Sequence, residues 1–296
     1  MTNEKFRGTF TALVTPMNDD LTIDEKTLGN LVDFQLQEGI DGLVPCGTTG
    51  ESPTISPEEQ KRIISIVVER VNGKIPVIAG AGTNNTKEAV KLAKAAQAAG
   101  ATGILSVAPY YNKPTQEGFY RHFRAIAEAV DIPVIIYNIP GRTGKNIIPE
   151  TIFRLATDCK NIAGVKEASG NLEQISEVIR GRPEGFSVLS GDDFLTLPLI
   201  ALGGDGVISV ISNEIPKLFK EMVTLALNGD FEKARNLHHY LTPLLKVNFI
   251  ETNPIPVKTA LYLMGKVKPY FRLPLCEMSS VNQDKLKKVL QDLKLL

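Results

Sequence analysis

Tryptophan is absent from the 296 residues, and histidine and cysteine occur only three times each. The histidines, His122, His238 and His239, all fall inside segments with helical period, which leaves no imidazoles at strand ends to hold a catalytic metal ion. No metal site is expected. Cys46, Cys159 and Cys276 are odd in number and widely spaced, which argues against a disulfide framework or zinc knuckle and for a reducing compartment. Net charge is zero, 33 basic residues against 33 acidic, with a pI near 6.9. That balance excludes the electrostatic footprint of a nucleic-acid binder or of an anionic membrane surface, and leaves a small neutral or anionic metabolite as the natural partner. No apolar run approaches the length of a membrane span and the N-terminus lacks a signal-type apolar core, so a cytoplasmic location is expected. There is no G-x-S-x-G elbow for a serine hydrolase. No G-x-G-x-x-G opens a helix after the first strand, "GAGTNN" at 80–85 being the nearest approach, and nothing marks a pyridoxal phosphate cup. No cofactor is expected.

What is present is rhythm. Eight short apolar runs recur, "TFTALVTP" (9–16), "GLVPCG" (42–47), "PVIAGAG" (76–82), "GILSVAP" (103–109), "PVIIYNIP" (133–140), "IAGVKEAS" (162–169), "FSVLSGDD" (186–193) and "GVISVIS" (206–212). Between them lie segments such as "SPEEQKRIISIVVERV", whose apolar residues return every three or four positions. Ser56, Pro57 and Glu59 make a capping box with proline at the first turn, and Gly39 and Gly100 fall where helices should stop. Eight βα units with nearly continuous apolar strands predict an α/β fold, a (β/α)8 TIM barrel, in preference to an open doubly wound sheet. After the eighth strand only helical patterns remain. The predicted division is a catalytic barrel over 1–228 and a helical subdomain of three helices over 229–296, with no flexible linker between them.

In such a barrel the site lies at the carboxyl ends of the strands, and that is where the unusual polar residues fall: "CGTTGES", "APYYNKPTQEG", "YNIPGRTG", Lys166 and "SGDD". Singly, each has a plain explanation. "GTTG" reads as a turn or as a carboxylate cradle with the hydroxyls of Thr48 and Thr49; Tyr110 and Tyr111 as packing or as site phenols. Tyr137 reads as a core phenol or a proton shuttle, and Arg142 as a solvated charge or a carboxylate fork. Asp192 and Asp193 read as the cap and first-turn acid of the next helix. Lys166 reads as a strand-end lysine whose stem lies on apolar neighbours while its head snorkels to water, or as a reactive amine. Gly164, Lys166 and Ala168 share one face of their strand, and Ala163, Val165 and Glu167 the other, so small neighbours leave a channel for the amine. If that face is the barrel interior, desolvation lowers the amine's pKa. A neutral amine can attack a ketone to form a Schiff base.

Seven motifs in order, "CGTTGES" (46–52), "APYYNKPTQEG" (108–118), "YNIPGRTG" (137–144), "GVKEASGN" (164–171), "LSGDD" (189–193), "GVISV" (206–210) and "NPIPVK" (253–258), closely resemble those of the dihydrodipicolinate synthase family. That family lies within the N-acetylneuraminate lyase superfamily of class I aldolases. The resemblance covers nearly the whole chain. It implies condensation of pyruvate with L-aspartate 4-semialdehyde through an imine on Lys166, with Tyr137 as proton-relay phenol. Thr49 and Tyr111 would complete the proton path, Tyr111 coming from the neighbouring subunit of a tight dimer within a homotetramer. It also implies that Thr48 and Thr49 bind the pyruvate carboxylate, that Gly191 and Ile208 line the pocket, and that Arg142 holds the carboxylate of the semialdehyde. Two alternatives stay open: a sialic-acid or keto-deoxy-sugar-acid aldolase of the same superfamily, and an inactive barrel kept as a ligand sensor.

Relatives inhibited by lysine bind it at a subunit interface whose matching positions here are Ser52, Asn84, Glu88 and Tyr110. The histidines such relatives often carry are replaced by Pro57 and Gln60. Feedback inhibition is therefore predicted to be weak or absent. Steady-state inhibition by L-lysine checks this, and an inhibition constant at or below about 1 μM, an affinity near −8 kcal/mol, would contradict it.

Overall fold

The computed structural model describes residues 6–296. Strands β1 (Gly8–Ala12), β2 (Gly42–Val44), β3 (Ile78–Gly80), β4 (Gly103–Val107), β5 (Val134–Asn138), β6 (Ile162–Glu167), β7 (Ser187–Ser190) and β8 (Gly206–Ser209) pair in parallel in the order β2-β1-β8-β7-β6-β5-β4-β3. The two ends of that order meet. Leu43 bridges Val77 in parallel, and the Gly80 amide donates to the Pro45 carbonyl at 2.9 Å, so the sheet closes into a barrel with no free edge.

Helices follow the strands as the periodicity predicts: α1 (Glu25–Gln37), α2 (Pro57–Val71), α3 (Thr86–Ala98), α4 (Gln116–Ala127), the single turn α5 (Pro140–Thr143), α6 (Pro149–Asp158), α7 (Leu172–Gly181), α8 (Thr196–Ala201) and α9 (Pro216–Leu227). The capping box at Ser56 forms with both of its hydrogen bonds, and Gly39 and Gly100 adopt φ of 76° and 90°, the left-handed geometry that ends a helix with least strain in glycine. α5 was not expected. Proline at its first position and Gly144 in the left-handed region after it fold "PGRT" into one turn, and this turn sets the direction of Arg142.

Three layers of apolar side chains result. The barrel interior is filled by Phe10, Val44, Ile78, Leu105, Ile135 and Ile208 with their neighbours. A larger shell between strands and helices includes Leu43, Val67, Phe119, Phe123, Val165 and Val188. A third cluster joins α8 and α9 to α10 (Phe231–Val247), α11 (Ile255–Leu263) and α12 (Ser280–Asp292). One detail of strand parity is corrected. Ala163 belongs to the interior cluster rather than to the outer face, because the β5–β6 register slips between the Val134–Ile162 and Ile135–Gly164 pairs, and such an irregularity turns one extra residue inward.

The C-terminal helices also reach the barrel mouth. Lys258 on α11, wholly buried, donates to Glu51 Oε1 at 2.6 Å, and Glu51 itself is 1% exposed. Taking one partner from such a pair strands the other charge without solvent. Lys258→Met should therefore destabilise the fold by about 3–5 kcal/mol, and the double substitution with Glu51→Gln should recover much of that loss. Urea unfolding midpoints of both variants check the expectation.

Candidate active site

Tyr137 near the end of β5 pairs in register with Lys166 on β6, which pairs in turn with Leu189 on β7. Side-chain alternation then points both Tyr137 and Lys166 into the barrel. Lys166 is 5% exposed, and its amine lies 4.2 Å from the centroid of the Tyr137 ring. Gly191, after β7, completes the channel: a Cβ there would lie 2.7 Å from Ala168 Cβ and 3.0 Å from Lys166 Cε, so only a residue without a side chain lets the lysine stem pass. Ile208 on β8, fully buried, forms part of the interior wall.

Burial depresses the amine of Lys166 from 10.5 to about 8; Asp193 opposes this by favouring the charged form, and Arg142 adds to it. At pH 7.5 about a quarter of such amines are neutral, against about one in a thousand for an ordinary lysine. The same burial pushes the Tyr137 phenol up to about 12, against the pull of Arg142 and of a hydrogen bond with Thr48. The phenol thus stays protonated and able to donate while the amine beside it is ready to attack.

The two threonines have different partners. Thr48 is the residue bonded to the Tyr137 phenol. The Thr49 hydroxyl, 2% exposed, is instead held by the Asn253 amide at 3.0 Å. That partner stands in the turn just before α11, and no hydrogen bond among the described residues joins Thr49 to the phenol. Arg142 is solvent-exposed at the mouth, and its Nη2 donates to the Asn253 carbonyl at 3.1 Å.

Asp193 is a second correction. α8 begins only at Thr196 and has no side-chain cap. Asp193 is instead 1% exposed, and its Oδ2 accepts from the amides of Val210 and Ile211, each at 2.9 Å. Burial raises it to about 6 despite those hydrogen bonds. The doublet "DD" looks like a helix start because its tertiary partners lie on the next βα loop.

Two further residues carry no sequence signal. Asn138 and Glu167 directly follow Tyr137 and Lys166, so they point outward. Glu167 accepts from Asn138 Nδ2 at 3.1 Å, Gln174 Nε2 at 3.2 Å and the Ser169 amide at 2.7 Å. This buried carboxylate ties β5 to β6 behind the two inward side chains.

Tyr111 stands apart from this group within the chain. It is 90% exposed with φ 68°, a conformation rare for a bulky residue. Ser52 and Tyr110 line a cavity of about 340 Å³ together with Pro57, Gln60, Thr48 and Arg142. Of the remaining interface candidates, Asn84 accepts from Asn112 Nδ2 through its backbone at 2.9 Å, and Glu88 pairs with Lys91 at 2.9 Å on the surface. No helix among the described residues is long and apolar enough to cross a membrane.

A closed parallel barrel with a buried, pKa-lowered lysine beneath a phenol defines the class: a barrel able to form an imine on a strand lysine. The chain belongs to the Dihydrodipicolinate synthetase family, whose sequence profile matches residues 5–293. It is 55% identical over 296 residues, all of both chains, to the 4-hydroxy-tetrahydrodipicolinate synthase of Chlorobium phaeobacteroides. Its structure matches the dihydrodipicolinate synthase of Aquifex aeolicus with a TM-score of 0.97 at 52% identity, covering 98% of this chain and 99% of that one. It matches the Acinetobacter baumannii synthase, solved in complex with pyruvate, with a TM-score of 0.96 at 42% identity, covering 98% and 99%.

Because Asp193 favours the charged form of Lys166, Asp193→Asn should move the amine's pKa further down. The acid limb of the kcat/KM profile for pyruvate should shift toward lower pH. An unmoved limb would mean that the carboxylate does not act on the amine.

Proposed function

We propose that this chain condenses pyruvate with L-aspartate 4-semialdehyde to give 4-hydroxy-tetrahydrodipicolinate, on the diaminopimelate route to lysine, through an imine on Lys166. The observation that carries the reading is the buried amine of Lys166 against the Tyr137 ring, with Thr48 on the phenol. The neutral amine attacks the ketone carbon, and the carbonyl oxygen takes a proton from the phenol. Loss of water leaves the imine. Its electron demand lets the phenolate remove a methyl proton, and the resulting enamine carbon bonds to the aldehyde carbon, whose oxygen takes that proton. The amine of the second substrate then displaces Lys166, closing the ring and freeing the lysine.

In this reading Thr48 and Thr49 hold the pyruvate carboxylate, with Thr48 as the relay partner of Tyr137. Gly191 and Ile208 line the pocket, and Arg142 receives the semialdehyde carboxylate. Tyr111 extends the relay from a neighbouring subunit: its exposure and backbone geometry suit a side chain presented outward to a partner. That assignment carries a tight dimer within a homotetramer, and an active monomer in sedimentation would contradict it. The barrel, 1–228, supplies every reacting group, and the helical subdomain, 229–296, braces the mouth through Asn253 and Lys258.

Turnover of the substrate pair, followed through the reductase that consumes the product, tests the reading. Lys166→Ala should lose activity by several orders of magnitude, and Tyr137→Phe by about 10²–10⁴-fold, the range of a lost general acid and base. Turnover by the Lys166 variant near the native rate would overturn the imine assignment. Turnover of a sialic acid or keto-deoxy-sugar acid alone would move the chain to the other branch of the superfamily.

A further inference from the structure

The segment "NPIPVK" has no role in the chemistry above, yet two of its side chains enter the mouth from more than two hundred residues away. Asn253 donates from Nδ2 to Thr49 Oγ1 at 3.0 Å and accepts on its backbone oxygen from Arg142 Nη2 at 3.1 Å. It thus touches Thr49, one of the two threonines that the proposed function assigns to the pyruvate carboxylate, and Arg142, which it assigns to that of the semialdehyde. Lys258 fixes the same segment by its buried pair with Glu51, two residues beyond Thr49. Glu51 sits in the left-handed region at φ 59°, so the loop that carries the threonines holds a constrained shape against this anchor.

The remaining atom of the Asn253 side chain is informative. Asn253 is 7% exposed, and its Oδ1 is buried with no hydrogen-bond partner. A buried acceptor left unpaired costs about 1–3 kcal/mol, and one neutral hydrogen bond returns about 1 kcal/mol. For stability alone an asparagine here is a poor choice.

We propose that Asn253 is a positioning residue for substrate recognition: it sets the Thr49 hydroxyl and the Arg142 guanidinium relative to each other, so that the C-terminal helices tune the affinity for both substrates. Alanine at this position frees the Thr49 hydroxyl to rotate and removes the buried orphan oxygen. Aspartate keeps the shape but cannot donate to Thr49, and it sets a negative charge between two carboxylate sites. The inference rests on the proposed function in both halves, on pyruvate at Thr49 and on the semialdehyde at Arg142.

The test compares native enzyme, Asn253→Ala and Asn253→Asp by steady-state kinetics, thermal unfolding, and half-saturation of borohydride trapping by pyruvate. Asn253→Ala should raise KM for pyruvate about tenfold, with kcat falling less than KM rises and the thermal midpoint nearly unmoved, and KM for the semialdehyde should rise less because the contact to Arg142 is made by the backbone oxygen that alanine keeps. Asn253→Asp should raise KM further. Trapping needs no second substrate, so a weakened pyruvate half-saturation supports the inference even if the native enzyme fails to turn over the semialdehyde, a failure that would count against the substrate assignment instead. Unchanged KM and trapping would overturn the inference. So would a drop in kcat and thermal midpoint with KM unmoved, which marks a purely structural role. If the alanine variant does not fold, the aspartate variant alone decides by the same criteria.

Discussion

An amine buried in the apolar interior of a closed barrel is the constraint on which the rest of this structure depends. Lys166 is 5% exposed, so its charged form lacks full solvation and its pKa falls to about 8. The unfolded chain binds that proton more tightly. Between about pH 8 and 10.5 the unfolded state therefore carries more protons than the folded one, and stability rises with pH across that window. Below it the fold bears a penalty on the order of 3 kcal/mol, which the surrounding core must offset. The reward is chemical: a lysine that is a nucleophile near neutral pH.

Everything close to the amine serves that state. Tyr137 supplies a ring face and a phenol held in its protonated form. Gly191 leaves room for the lysine stem. Asp193 supplies a buried counter-charge that keeps the depression moderate, and is held by two backbone amides of the next loop. Behind the strands, Glu167 with its amide donors locks β5 against β6, so the register that pairs Tyr137 with Lys166 is fixed from the outer face as well.

The barrel was legible because its signals are local. Alternating apolar runs and helical periods, the Ser56 capping box and the stop glycines each depend on neighbours a few residues away. Lys166 stood out for the same reason, as a charge in an apolar strand with small flanking residues. What escaped reading depends on distant partners. The difference between Thr48 and Thr49 is a matter of which hydroxyl faces Tyr137 and which faces Asn253, 204 residues on. Asp193 passed for a helix cap because its partners, Val210 and Ile211, belong to another βα unit. Ala163 was placed outside because strict alternation cannot register a slip between strands. α5 was hidden by its brevity.

The most direct measurement is the pH dependence of imine formation itself: native protein mixed with pyruvate, reduced with borohydride at a series of pH values, and read by mass at Lys166. Adduct should appear at Lys166 alone, with an initial rate that rises with pH through a midpoint near 8. A midpoint near 10.5, the value of a solvated lysine, or an adduct on another residue would contradict the claim that burial makes this amine the nucleophile.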